Sequence, residues 1–321
     1  MMFDFKNIQS KKLSLVFGII SKLNIRLLIT LICLGFIGKS VYDNFEALAD
    51  QNIGIEELAW LSGGILFSLF SIIINAYAWK LLINSIGCNS NNLKIIKIFI
   101  NTNIYKYLPG GIWHFASRYN ILRKNFSKQK SAESIVLEPL LMMVAALIVI
   151  PFGGFNIFLF ILCWSSTLLF LPGLREIIIK KMKTMKASIF NSDKGNDRTL
   201  IENKQNIATK IFYPYKPLFV EVIFILVRFL GFFCCMNAFS IGSLFSQLEL
   251  ISYFSLAWLI GLLVPAAPGG IGVFESIILF CLSAQLSEAP LLASLLCYRL
   301  VSTVSDILAA LLYPIKKLFK A

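Results

Sequence analysis

Val264 to Phe280 reads VPAAPGGIGVFESIILF, an apolar run interrupted by Pro265, Pro268, Gly269, Gly270, Gly272 and one carboxylate, Glu275. Such a break is unusual between membrane-like flanks. In hydrocarbon, non-helical backbone is tolerated only where protein buries it or where it lines a wet cavity. Proline removes an amide and ends one half-helix. Glycine then permits the turn. The next half-helix presents free N–H groups and a positive dipole end, which suit an anion. This stretch therefore predicts a discontinuous helix facing a polar cavity.

A second stretch, LPGGIWHFASR over 108–118, has the same form. Setting Pro109 on Pro268 places PGGIWHFAS over PGGIGVFES, with Pro, Gly, Gly, Ile, Phe and Ser in common. The match predicts an internal repeat, and it adds Pro109, Gly110 and Gly111 to Pro268, Gly269, Gly270 and Gly272 as candidate ligand-facing positions. The rest of the chain sets the two breaks in a membrane. Hydrophobic residues make up 57% of the 321, against about 45–50% in soluble domains. Candidate spans fall near 26–42, 58–83, 132–151, 155–171, 217–240 and 289–313, with broken segments at 93–122 and 250–285.

The net charge of +13 raises nucleic-acid binding as a possibility, but its distribution argues against it. All Lys and Arg except Lys39, Lys80, Arg228 and Arg299 fall in four clusters, at 6–26, 94–130, 175–216 and after Pro314. Residues 43–57 carry acids and no base. This is the positive-inside pattern of a multi-pass inner (plasma) membrane protein with both termini cytoplasmic. The first break then enters from inside and the second from outside, as in an inverted repeat. The expected fold is all-α and polytopic, with about six transmembrane helices plus two re-entrant broken-helix hairpins. Residues 1–25 read as a basic interfacial segment and 26–321 as one membrane domain, with 172–216 a cytoplasmic basic loop.

Charged groups at the bilayer centre cost about 2.5–3.5 kcal/mol on insertion scales, so each needs a reason. Glu138, Glu221, Arg228, Glu275, Arg299 and Asp306 are the candidates, with Arg118 and Lys106 beside the first break; of these Arg118, Arg228, Glu275, Arg299 and Asp306 are assigned to a binding site. Two arrangements are open. Arg228 and Asp306 sit on antiparallel helices and would bridge; or Arg228 and Arg299 face a cavity and hold a phosphate through their planar forks, with Glu275 and Asp306 positioning them. His114 has no second histidine to share a metal. The seven cysteines form no CxxC pair and read as small hydrophobes. GFIGKS, at 35–40, lacks the first glycine of a phosphate loop. The chain has no HExxH, GxSxG or dinucleotide fingerprint. No cofactor, metal or catalytic residue is expected.

At LPGGIWHFASR and PAAPGGIGVFE (265–275) the chain resembles the membrane domain of the lysylphosphatidylglycerol synthase/flippase family. The resemblance implies movement of an anionic or aminoacylated phospholipid between leaflets, with relatives in surface-glycan and lipid pathways; the expected cargo is an anionic phospholipid or lipid-linked glycan. It places Pro109, Gly110, Gly111, Arg118, Pro268, Gly269, Gly270, Gly272 and Glu275 at the family's motif positions. Full synthases add a soluble aminoacyl-transferase domain, and this chain stops at Ala321, so a stand-alone flippase-like member is expected. The expected partners are a phospholipid or polyprenyl-linked lipid, the membrane itself, and either a second copy or a biosynthetic enzyme. Two other functions fit the sequence: a non-catalytic accessory subunit of a glycan or lipid enzyme, and a membrane-embedded transferase using Glu275 or Asp306 as base.

Overall fold

A computed structural model describes residues 54–88, 94–108, 112–154, 156–171, 213–264, 272–283 and 288–312, together with Tyr42 and Gly173. The expected span at 26–42, the segment 1–25, nearly all of 172–216, both termini and the loop residues Pro109 to Gly111 and Pro268 to Gly270 lie outside the described residues.

All regular structure among the described residues is helical. The helices are α1 (Ile55–Ser85), α2 (Ile95–Asn103), α3 (Trp113–Leu122), α4 (Lys128–Val149), α5 (Ile157–Ser165), α6 (Tyr215–Ala238), α7 (Gln247–Leu263), α8 (Val273–Leu282) and α9 (Glu288–Leu312). Among the described residues four segments are long and apolar enough to cross a membrane: Ile55–Ser85, Lys128–Gly153, Tyr215–Ala238 and Ala289–Leu312. These correspond to four of the expected spans. The span expected at 155–171 differs. Its α-helix has 9 residues and passes into 3-10 turns over Ser166–Phe170. The hydroxyls of Ser165, Ser166 and Thr167 donate to the carbonyls three residues back, at 2.7, 2.6 and 2.8 Å. These local bonds accompany the tightening of the helix.

Both proline–glycine stretches separate short helices that pack on each other, α2 against α3 and α7 against α8. A kink in one continuous span would leave its two halves end to end. These halves fold back as hairpins. Each half of the chain therefore reads span, broken hairpin, span: α1, α2–α3, α4, then α6, α7–α8, α9. Exchanging the halves maps the packing onto itself. The α1–α9 contact answers α6–α4, α2–α9 answers α7–α4, α3–α4 answers α8–α9, and α1–α6 answers itself.

The α1–α6 contact also fixes the sense of the repeat. Along α1, Gly64, Ser68 and Ser71 meet Cys234, Gly231 and Arg228 in turn. The numbering rises on one helix and falls on the other, so the helices run antiparallel and the repeat is inverted. Small residues permit this approach, as is usual between membrane helices. A Cβ added at Gly231 would stand 2.6 Å from Ser68 Oγ and 3.3 Å from the Gly64 carbonyl. Leu66, Phe67, Phe70, Leu230, Leu300 and Leu308 are exposed on the long helices, as lipid-facing positions should be.

Gly231→Leu is therefore expected to push α1 from α6 and to lower the thermal unfolding temperature of the detergent-solubilised protein; overpacking of this kind costs about 1–3 kcal/mol. A Cβ at Gly261 on α7 would meet nothing within 4 Å, so Gly261→Leu should unfold at the wild-type temperature. Equal unfolding temperatures for Gly231→Leu and wild type would contradict the assigned crossing.

Candidate functional site

The two hairpins and the spans α1, α4, α6 and α9 line a cavity of about 560 Å³. That lies within the range of roughly 300–1,000 Å³ for small-ligand sites. Lys106, Arg118, Arg228 and Arg299 line it, with Glu138 and Glu275. Its walls are otherwise largely apolar and aromatic, including Phe99, Phe115, Trp258, Phe274 and Tyr298, with Asn75, Asn103, His114, Ser302 and Thr303 as neutral polar members. An inverted repeat builds this naturally, because the helices flanking each break bring side chains to the shared interior.

The cations differ in how they are satisfied. Asp306 of α9 is 2% exposed and takes three donors from the turn before the first break. Lys106 Nζ stands 2.7 Å from Oδ2, Tyr107 Oη donates to Oδ2 at 2.6 Å, and Asn103 Nδ2 donates to Oδ1 at 2.8 Å. The spacing i, i+3, i+4 puts these donors on one face. Arg299, two turns away on α9, holds Glu275 through Nε, with Nη2 at 3.1 Å from Oε2. Glu275 also accepts from the Gly272 amide at 2.9 Å, which caps α8. Gly272 has φ 98°, a left-handed conformation that only glycine adopts without strain. The amide at the head of this half-helix is thus held by the protein's own carboxylate.

In the first half, Arg118 of α3 is 1% exposed. Nη1 bonds Glu138 of α4, Nε donates to Thr102 Oγ1 at 3.0 Å, and the guanidinium lies 3.7 Å from the Phe99 ring centroid. Each half therefore ties the helix after its break to the following span by an ion pair, with the charges reversed. The cation is on the half-helix in the first repeat and on the span in the second.

Arg228 stands apart. It is 5% exposed. Nε donates to Tyr298 Oη at 3.1 Å, and Nη1 to Ser71 Oγ at 3.3 Å and the Ser68 carbonyl at 3.5 Å. Trp258 and Tyr298 flank it, each with a ring centroid 5.7 Å away. Among the described residues it meets no carboxylate. The Arg228–Asp306 bridge, one of the two arrangements left open by the sequence, does not form, because Asn103, Lys106 and Tyr107 already occupy both Asp306 oxygens. A buried guanidinium held only by neutral oxygens, with Nη2 donating to nothing among the described residues, is a ready anion site.

Arg118, Arg228, Gly272, Glu275, Arg299 and Asp306 thus converge on one region. Pro109, Gly110, Gly111, Pro268, Gly269 and Gly270 lie in the loops outside the described residues, and residues on either side, Tyr107 and Phe274 among them, line the cavity. Tyr298, Trp258, Ser71 and Thr102 complete the surroundings of the arginines; being ordinary core residue types, they give no signal in the sequence. Among the described residues no three His, Cys, Asp or Glu side chains are arranged to hold a metal ion.

Glu138→Gln should orphan Arg118 and destabilise the protein by about 3–5 kcal/mol. Arg118→Met combined with Glu138→Leu should recover most of that, since both buried charges go together. Thermal unfolding of the single and double variants checks this. A double variant less stable than Glu138→Gln would contradict the pairing.

Comparison with curated protein sequences finds no match. The lysylphosphatidylglycerol synthase TM region family matches residues 23–310. That interval holds both broken hairpins and every charged residue around the cavity. The chain belongs to the family of lysylphosphatidylglycerol synthase transmembrane regions, membrane proteins of lipid metabolism and transport.

Proposed function

We propose that this protein binds the phosphate of an anionic phospholipid or lipid-linked glycan at Arg228 and moves that lipid between the leaflets of a bacterial inner membrane. The observation that carries the reading is the cavity's division of charge. Lys106, Arg118 and Arg299 each have a carboxylate; Arg228 has none among the described residues. A phosphate would accept from the free side of its guanidinium, and the apolar, aromatic walls would take the upper acyl chains. The remaining candidates, Arg118 and Arg299, support the site by positioning the half-helix after each break.

The same geometry favours a non-enzymatic role. A general base needs a free lone pair facing the substrate. Asp306 is saturated by three donors, and Glu275 by Arg299 and the α8 amide. Movement without chemistry suits a site in which hairpins of opposite entry share one interior, since rocking of the repeats would expose it to each side in turn.

The test is lipid translocation in reconstituted vesicles. Arg228→Gln should abolish movement of a labelled anionic phospholipid. Arg228→Lys should be impaired about tenfold or more, because lysine keeps the charge and loses the bidentate fork. Gly261→Leu fills the cavity from α7 without a clash and should reduce movement at normal stability. Wild-type rates in stable Arg228→Gln would remove Arg228 from the site.

A further inference from the structure

Glu221 on α6 is 1% exposed, and its Oε2 has no hydrogen-bond partner among the described residues. It forms no ion pair among them. The charged groups from other helices in electrostatic range are Glu138 of α4 and Arg118 of α3. The helices α1, α7 and α9 also pack on α6, and among the described residues none of them brings a charge into that range. Arg118 is already bonded to Glu138, so Glu221 has no cation of its own.

The charges can then be sorted. Around the cavity, Lys106–Asp306, Arg118–Glu138 and Arg299–Glu275 are internally neutral pairs. Two groups remain, Arg228 and Glu221, seven residues apart on the same helix. Two turns separate them by about 10 Å, too far to bond and near enough to feel each other in a weakly screened interior. With both ionised, the set is neutral and the cavity has no net charge with which to hold an anion. With Glu221 protonated, the set carries one positive charge, seated on Arg228.

We infer that Glu221 is a proton-binding site linked to the phosphate site, so that the anionic lipid and a proton are taken up together. The inference rests on the phosphate-binding role of Arg228. The step is a simple protonation: a solvent proton adds to the Glu221 carboxylate, giving the neutral acid, as the anion's charge arrives at Arg228. No other bond forms or breaks. Linkage makes the effect reciprocal. Bound phosphate favours the protonated acid, and protons tighten phosphate binding. Affinity should therefore fall as pH rises through the titration of Glu221, by up to about tenfold per pH unit. A lipid carrying one negative charge would enter with no net movement of charge, so a proton gradient rather than the membrane potential would drive it.

The experiment is isothermal titration calorimetry of the full chain in nanodiscs of zwitterionic lipid, with dihexanoylphosphatidylglycerol as probe. Paired buffers of different ionisation enthalpy, between about pH 5 and pH 9, report protons exchanged on binding. Wild type should take up protons on binding, up to one per bound lipid, at pH values between the titrations of Glu221 in the free and the lipid-bound protein, with uptake falling towards zero on either side. Glu221→Gln, fixed in the neutral form, should bind with an affinity flat across pH and with no uptake. Wild-type binding without proton uptake at any pH, or full uptake in Glu221→Gln, would overturn the inference while leaving the phosphate site intact. Absence of wild-type binding, or unchanged binding in Arg228→Gln, would overturn the phosphate site and the inference with it.

Discussion

Asp306 sets the pattern for the rest of the molecule. A carboxylate buried among membrane helices needs donors, and Asp306 takes Asn103, Lys106 and Tyr107 from the turn before the first break. Arg299 on the same helix takes Glu275 from the half-helix after the second. One span therefore grips a hairpin of each repeat. Such groups are tolerated at depth only when paired or facing water, so loss of either contact would leave an orphaned charge. The hairpins are held where the helices flanking both breaks line a common interior.

This arrangement decides the electrostatics of the cavity. Three cations are neutralised by carboxylates contributed across helix contacts, and one of those contacts, Lys106–Asp306, also joins the two halves. Arg228 is left with neutral oxygens and flanking rings. Its environment preserves the charge and does not quench it, as an anion site requires. Glu221 occupies the opposite position, a carboxylate without a cation on the same helix. The functional asymmetry of a nearly symmetric fold thus lies on α6, whose Arg228 bonds Ser71 and the Ser68 carbonyl of its counterpart α1.

Much of the architecture was legible in the sequence. Alignment of the two PGGI motifs predicted the repeat, and hydropathy placed spans at 58–83, 132–151, 217–240 and 289–313 within a few residues of the observed helices. The expense of charge in hydrocarbon singled out Arg118, Arg228, Arg299, Glu275 and Asp306. Their partners were not legible. Asp306 chooses Lys106 over Arg228 because a 3-10 turn at Ile104–Tyr107 aligns three donors at once, and that geometry depends on tertiary packing. The reversed ion pairs were hidden for a different reason. In the motif register Arg118 aligns with Ile277 and Glu275 with Ala116, so the repeat conserves the position of the tie and not its residue types. Hydropathy also failed to distinguish the short helix of 157–165 from a full span, because local hydroxyl bonding and not apolarity sets where its α-helical part ends.

The central claim is that Arg228 holds a phosphate-bearing lipid. Native mass spectrometry of gently extracted protein tests it most directly. Wild type should retain one phospholipid or polyprenyl-phosphate lipid per chain, and Arg228→Gln of equal stability should have lost it. Equal retention by both, or a stoichiometric protein partner in place of lipid, would contradict the account.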